Sequence, residues 1–289
     1  MRWEGNRESE NVDDQRASSG RGGFGLGGRS IGIGTIVIAL VGGAIFGINP
    51  LTLLEILSGG SPQQVEQRAP QQPPADDRMA RFVSTVLADT EDVWNELFAK
   101  NGGNYAEPRL TLFRGSIATA CGHGQAAMGP FYCPADQKVY IDLGFYDVLR
   151  SRLGAPGDFA QAYVIAHEVG HHVQNQLGIT RQMESARARV SQAQYNALSV
   201  RLELQADCFA GVWAHHAQNA RQILEQGDIE EAMNAAAKIG DDALQSGGGG
   251  AVVPESFTHG TSAQRQRWFR TGLQTGSVQA CDTFNARNP

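Results

Sequence analysis

The sequence has no cluster of basic residues, and its acidic side chains outnumber its basic ones. It has 24 Lys and Arg against 30 Asp and Glu, a net charge of −6 and a pI near 5.6. Without a basic face a protein cannot neutralise the phosphates of a nucleic acid, so nucleic acid is excluded as a partner. The length of 289 residues fits one globular domain of roughly 200 residues with appendages.

Cysteine is scarce as well, and none of the four residues precedes position 121. Their spacings fit none of the usual zinc knuckles, which argues against a thiolate metal site. An even number allows two disulfides in an oxidising compartment, with three possible connectivities. We expect Cys121–Cys133 across a short loop and Cys208–Cys281 between a helix and the C-terminal tail. Buried free thiols are the alternative.

One long apolar stretch lacks charge: residues 31–54, of which 31–48 are almost continuously apolar. A helix of that length spans the roughly 30 Å hydrocarbon core of a membrane. A cleaved signal peptide fits less well, because the stretch starts thirty residues into the chain and no A-x-A site follows it. A buried core helix is the third possibility, but its five glycines are tolerated better in membranes. The sequence therefore predicts a transmembrane helix over residues 31–54.

Basic residues predict the orientation of this helix. Arg21 and Arg29 precede it, and no Lys or Arg follows until Arg68. Positive charge stays inside, so we predict a single-pass protein of the cell membrane, with a cytoplasmic N-terminus and an extracytoplasmic C-terminal domain.

The remaining segments follow from composition. Residues 1–30 mix charge with Ser and Gly, so no fold is expected there. Residues 55–78 are rich in Pro and Gln and would form an extended linker. The folded domain would then occupy residues 79–289.

The most informative pattern is H-E-x-x-H, which begins at His167. Asp158 suits a helix N-cap, and residues 159–177 contain no Pro and one internal Gly. On a helix, His167 and His171 lie about 6 Å apart on one face and can reach a single ion. Glu168 stands to the side, where it can act as general base on a metal-bound water. A chance match on an ordinary amphipathic helix is the alternative.

Catalytic zinc takes three protein ligands and keeps one position for water. The third ligand is best offered by Glu203, on a predicted helix over residues 198–217. Asp207 follows at i+4 on the same face, where it can accept the free N–H of a ligating imidazole. A solvated acidic face is the alternative. Against it, the flanking Leu204 and Phe209 indicate a packed stretch, in which an unpaired carboxylate pair would be costly.

A di-iron carboxylate site is the rival metal hypothesis, because E-x-x-H occurs within the same five residues. Such sites need a second E-x-x-H from another helix and two further glutamates. The sequence contains no second copy, since Glu255 and His259 have the wrong spacing. One zinc ion is therefore favoured, although His/His/Glu sites also accept cobalt or manganese.

Four separated blocks carry a resemblance to a known family. They are G-P-F-Y-C-P-A-D-Q-K-V-Y-I-D (129–142), H-E-V-G-H-H-V-Q (167–174), L-E-L-Q-A-D-C-F-A-G-V-W-A (202–214) and S-F-T-H-G-T-S-A-Q-R-Q-R-W-F (256–269). Together they resemble the neutral zinc metallopeptidase family of bacterial membrane-anchored proteins. The resemblance implies an α+β, mostly helical, zincin-like domain of the gluzincin type with a small β-sheet. It also implies that His167, His171 and Glu203 bind zinc and that Glu168 is the catalytic base.

His259 lies in a loop before a predicted helix. A donor that faces the metal can stabilise an oxyanion, which is worth about 3 kcal/mol of the barrier. Membrane zinc proteases carry a similar T-H block after the third ligand. A histidine that caps the following helix is the alternative. We favour a catalytic role because loops carry function more often than chance.

Residues 109–145 form the only strand-like region. Val139–Asp142 precedes the H-E-x-x-H helix, at the place where gluzincin-like enzymes have an edge strand. We therefore expect it to be an edge strand that pairs with an extended substrate.

Taken together, these features predict a membrane-anchored, zinc-dependent endopeptidase that acts on peptides or unfolded proteins. The alternative is a membrane-tethered zinc protein that binds or scaffolds partners of the cell envelope without turnover. Both kinds of protein would retain zinc, so zinc content does not distinguish them. Hydrolysis distinguishes them, provided that a chelator inhibits it and zinc restores it.

Overall fold

The computed structural model describes residues 1–17, 71–126, 129–247 and 252–289. The predicted transmembrane helix and most of the predicted linker lie outside these ranges. The strands are β1 Val12–Asp14, β2 Arg109–Phe113, β3 Ser116–Thr119, β4 Gly122–Gln125, β5 Phe131–Cys133 and β6 Lys138–Asp142. The helices are α1 Arg78–Lys100, α2 Gly144–Ser151, α3 Asp158–Gln176, α4 Ile179–Arg187, α5 Gln192–Arg221, α6 Asp228–Lys238, α7 Asp241–Gly247 and α8 Ser262–Thr275. The fold is therefore α+β and mostly helical with small sheets, as predicted.

The main sheet has four strands in the order β1-β2-β6-β5. The first three are parallel, and β5 pairs antiparallel with β6. The prediction that Val139–Asp142 is an edge strand is wrong, because β6 lies between β2 and β5. Val139 and Ile141 are fully buried, which suits an interior strand. The strand at this edge of the sheet is β5.

Three helices, α3, α5 and α8, form the centre of the domain. Two glycines bring α5 and α8 into backbone contact. A Cβ on Gly272 would lie 1.9 Å from the carbonyl oxygen of Cys208, and one on Gly211 would lie 2.1 Å from that of Phe269. Since no side chain separates these backbones, residues on α5 and α8 are held at a fixed spacing.

Residues 1–17 belong to the folded unit, which corrects the expectation of an unfolded segment over residues 1–30. Trp3 and Val12 are buried in the core, and β1 pairs with β2. Polar side chains of this segment donate hydrogen bonds to the buried Glu91. Composition did not reveal that residues 1–17 are folded, because the residue they contact, Glu91, is about 80 residues away in sequence.

This packing also bears on membrane topology. Residues 1–17 and 71–289 belong to one compact unit, and segments that share a core lie on the same side of any membrane. The predicted single pass, with a cytoplasmic N-terminus and an extracytoplasmic domain, therefore does not fit this packing. Among the described residues, no helix has the length and apolar character needed to cross a membrane. That residues 31–54 contact a membrane stays a prediction.

Replacing Trp3 by Ala should lower the free energy of unfolding by about 3 kcal/mol. The Trp3 ring is buried and packs edge-on against Phe82, with centroids 5.4 Å apart. Urea denaturation followed by circular dichroism measures the change. The exposed neighbour Arg2 provides the control, since Arg2→Ala should cost less than about 0.5 kcal/mol. If Trp3→Ala and Arg2→Ala both changed the free energy of unfolding by the same small amount, residues 1–17 would not be packed against the core.

Both predicted disulfides are present, Cys121–Cys133 and Cys208–Cys281. The first joins the β3–β4 turn to β5. The second joins α5 to the short 3-10 turn near the C-terminus. The alternative of buried free thiols is thereby excluded.

Candidate metal centre

The H-E-x-x-H sequence lies on α3, and its two histidines face one carboxylate on α5. The rings of His167 and His171 have centroids 4.8 Å apart. His167 Nε2 lies 3.2 Å from one oxygen of Glu203, and His171 Nε2 lies 3.4 Å from the other. The ligand atoms of all three residues lie within 4.8 Å of one another. The structure thus brings the three predicted metal ligands to one point.

Gly170 allows α3 and α5 to approach closely enough for this convergence. A Cβ at this position would lie 3.0 Å from the carbonyl oxygen of Ala206 and 3.1 Å from its Cα. Both are backbone atoms of α5 and cannot rotate away. A side chain at position 170 would therefore push α5, and Glu203 with it, away from the histidines.

The donor set fits zinc. Two imidazole nitrogens and one carboxylate are the ligands of many catalytic zinc sites, which keep a fourth position for water. Glu168 is buried next to His167 on α3 but is outside the group of three converging ligands. That position suits a proton acceptor more than a ligand.

Behind His167, the buried Asp207 is held by several donors. His167 Nδ1 lies 2.8 Å from Asp207 Oδ1, and the Tyr163 hydroxyl donates to the same oxygen. Arg265, on α8, donates from Nη2 to Oδ1 at 2.9 Å and from Nε to Oδ2 at 2.8 Å. The carboxylate therefore fixes the ring orientation of His167, as a partner behind a metal ligand does.

Sequence reasoning missed Tyr163 and Arg265. Tyr163 precedes His167 by one helical turn, so its position on the same face of α3 was available as a signal. Arg265 lies in the block around His259, but nothing local in the sequence links it to Asp207. Their contact depends on how α8 packs against α5.

Neighbouring charges set the ionisation of these groups. Burial raises the pKa of Asp207, but Arg265 and His167 outweigh that effect and lower it to about 2. Burial lowers the pKa of His167, yet Asp207 and Glu203 raise it to about 9. Burial also raises the pKa of Glu203, whereas His171 and His167 bring it well below its usual value. The two carboxylates, Asp207 and Glu203, thus favour positive charge at this point, which a divalent cation would also supply.

His259 lies on the loop before α8, half-exposed, and is paired with Asp241. Its Nδ1 lies 3.2 Å from Asp241 Oδ1, and its backbone N–H donates to Oδ2 at 2.6 Å. The hydrogen bond with Asp241 raises the pKa of His259, and the charge of Glu203 adds to the effect. The imidazole is therefore held in place and lies within electrostatic reach of the third ligand.

Three other histidines contact backbone carbonyls away from this site. His172 lies 2.6 Å from the oxygen of Ala106. His215 and His216 lie 2.8 Å from the oxygens of Leu273 and Gly276. These contacts indicate structural roles.

Zinc affinity should fall as the pH is lowered below about 9. Zinc binds the neutral imidazole, and the pKa of His167 is raised to about 9, so metal must displace a proton below that pH. The expected loss is about tenfold for each pH unit. Competition with a chelator of known pH dependence measures it.

Two further results should accompany this loss. The protonated His167 stabilises the zinc-free fold below its ordinary pKa of 6.5, and this contribution disappears as the pH rises through 9. In Asp207→Asn, the affinity should level off at a lower pH, because the group that raises the pKa has lost its charge. Affinity that is independent of pH in the unaltered protein would contradict the argument.

The fold and the site together define a class: a mostly helical α+β protein with a candidate metal centre of two histidines and a glutamate. The sequence profile of one family, described as "Putative neutral zinc metallopeptidase", matches residues 1–284. This chain belongs to that family. The match includes the N-terminal segment that packs against the core.

Curated relatives support the same assignment. "Uncharacterized protein YpfJ" of Escherichia coli (strain K12) is 51% identical over 289 residues, which cover 98% of this chain and 99% of that protein. "Uncharacterized protein Rv2575" of Mycobacterium tuberculosis (strain ATCC 25618 / H37Rv) is 42% identical over 221 residues, or 71% and 72% of the two chains. No solved structure matches. Neither name states a substrate.

Proposed function

We propose that this protein is a zinc-dependent endopeptidase that cleaves peptides or unfolded proteins. One observation carries the proposal: His167, His171 and Glu203 converge on one point beside the buried Glu168. Membership of a zinc metallopeptidase family supports the reaction class.

In this proposal each residue has a distinct task. Bound zinc would supply Lewis acidity and lower the pKa of a water molecule. Glu168 accepts the proton of the attacking water and passes it to the leaving amine. Asp207 accepts the Nδ1–H of His167 and so leaves Nε2 to face the metal. Arg265 holds Asp207 in that position.

His259 is proposed to stabilise the oxyanion. Asp241 orients its ring and favours its protonated form. A positioned cationic donor stabilises negative charge that develops on a substrate carbonyl. In this proposal His259 does not bind zinc.

We further propose that the described unit functions outside the cytoplasm, with residues 31–54 attaching it to the membrane from that same side. The two disulfides support this location, because such bonds persist in oxidising compartments. Since residues 1–17 share the core, they would lie outside the cytoplasm as well. An epitope in the exposed β3–β4 turn should then be accessible to antibody from the extracytoplasmic side.

Hydrolysis of a denatured protein tests the function. The purified full chain should cleave it, a chelator should stop cleavage, and added zinc should restore it. A protein that binds one zinc ion per chain and cleaves no denatured protein or peptide would instead support a non-catalytic scaffold.

A further inference from the structure

A groove of about 630 Å³ runs along the N-terminal part of α5. Ala193, Ala197 and Val200 line it on the helix side, and Pro254 and Phe257 line it on the other. Its lining is mostly apolar. A volume of this size is typical of ligand sites and accommodates several side chains.

The groove lies on the same face of α5 as the metal-ligand candidate Glu203. Asn196 and Val200 line the groove, and Glu203 and Asp207 follow them at intervals of three and four residues. Residues with this spacing lie on one face of a helix. A polypeptide held at Glu203 therefore has the groove within reach, about one helical turn away.

The loop of His259 closes the groove on its other side. Phe257 and Thr261, on either side of His259 in sequence, both line it. A Cβ on Gly260 would lie 3.2 Å from Val200 Cγ1, so this loop packs directly on α5. The groove thus lies between the helix of the third ligand and the loop of the candidate oxyanion donor.

Two of the charged side chains that line the groove are already engaged. Arg201 donates to the carbonyl oxygens of Phe284 and Ala286, both at 3.0 Å. Asp242 accepts hydrogen bonds from Ser262 N and Oγ, both at 2.8 Å. A polar substrate side chain would therefore gain little from these two groups.

Exposed apolar side chains extend this surface. Val252 lines the groove and is 45% exposed, and Val253 beside it is 46% exposed. Leu244 is 47% exposed on α7, which contacts this segment through Gln245 and the Val253 N–H. Contiguous exposed apolar surface is typical of binding sites.

We propose that the groove binds apolar side chains of the polypeptide substrate close to the cleaved bond. This inference rests on the proposed function and adds a substrate class to it. The favoured substrates are extended segments rich in residues such as leucine and phenylalanine, which unfolded polypeptides expose and folded proteins bury.

The test fills the groove without touching the metal centre. Ala197 is exposed on α5, so Ala197→Trp should fold and occupy the space. Two internally quenched peptides would differ only in leucine or serine at the residues flanking the cleaved bond. In the unaltered protein the leucine peptide should have the lower KM. The substitution should raise that KM by about tenfold and leave the serine peptide within about twofold.

The matched control is Ala220→Trp, at an exposed position near the other end of α5. It should leave the KM of both peptides unchanged. Equal changes for the two peptides in Ala197→Trp, or no change for either, would overturn the groove proposal.

A binding measurement separates this inference from the proposed function. The fluorescein-labelled leucine peptide should bind Glu168→Gln, and adding Ala197→Trp should weaken binding by about tenfold in fluorescence anisotropy. If this loss occurs although the unaltered protein cleaves nothing, the groove stands and the peptidase proposal fails. If the protein cleaves both peptides equally, the groove proposal fails and the peptidase stands.

Discussion

Glu168→Gln should retain zinc and lose hydrolysis. The side chain is buried beside His167 but is not one of the three converging ligands, so an amide of the same shape leaves the metal centre intact. The amide cannot take a proton from water at neutral pH. The rate of cleavage of a denatured protein should therefore fall by about 10²- to 10⁴-fold. Zinc content by elemental analysis should stay at the value of the unaltered protein.

Glu184→Gln is the matched control, since Glu184 is exposed on α4. It should leave both rate and zinc content unchanged. Cleavage by Glu168→Gln at the original rate would show that another group is the base. Loss of zinc from the same variant would show that Glu168 is a ligand.

Arg265→Met should have the largest effect on stability. Arg265 is buried and makes hydrogen bonds with both oxygens of the buried Asp207. Removing the guanidinium leaves a buried carboxylate without its main cation, which costs about 3–5 kcal/mol. Urea denaturation of the zinc-free protein measures this loss. Zinc affinity should also fall by about 10- to 100-fold, because His167 loses its fixed partner.

Two variants make this prediction specific. Arg270→Met, at an exposed position further along α8, should change the free energy of unfolding by less than about 0.5 kcal/mol. Arg265→Lys keeps the charge but cannot donate to both oxygens of Asp207 in the same way. Its free energy of unfolding should therefore lie between those of the unaltered protein and Arg265→Met. Equal free energies of unfolding for Arg265→Met and Arg270→Met would show that the ion pair of Arg265 with Asp207 does not stabilise the fold.

The acid dependence of stability offers an independent check on the same pair. The pKa of Asp207 is lowered from its ordinary value of 3.8 to about 2. A lowered pKa stabilises the fold above the ordinary value, and that contribution is lost as the pH falls through the lowered one. The advantage of the unaltered protein over Asp207→Asn should therefore shrink between about pH 4 and pH 2.

Predictions based on spacing within one helix placed the site residues well. His167 and His171 share a face of α3 because residues at i and i+4 always do. The same rule put Glu203 and Asp207 on one face of α5. Predictions of how distant segments contact each other were less accurate. Charge and glycine content suggested no fold for residues 1–30, yet residues 1–17 include a strand and buried side chains.

The mistaken edge strand has a similar origin. The sequence identified Val139–Asp142 as a strand, but not its neighbours in the sheet. Its interior position results from pairing with Phe131–Cys133 on one side and with Arg109–Phe113 on the other. Strand order is a property of the whole sheet and has no local signal.

The sequence by itself determined which residues can share a helix face, that four cysteines can form two disulfides, and which chemistry two imidazoles with a carboxylate can support. Only the tertiary structure decided that Glu203 meets the histidines, that Arg265 neutralises Asp207, and that residues 1–17 complete the core. The physical reason is that helical geometry fixes neighbours three and four residues apart. Contacts between distant segments depend instead on how all the helices pack, as the close approach of α3 and α5 at Gly170 illustrates.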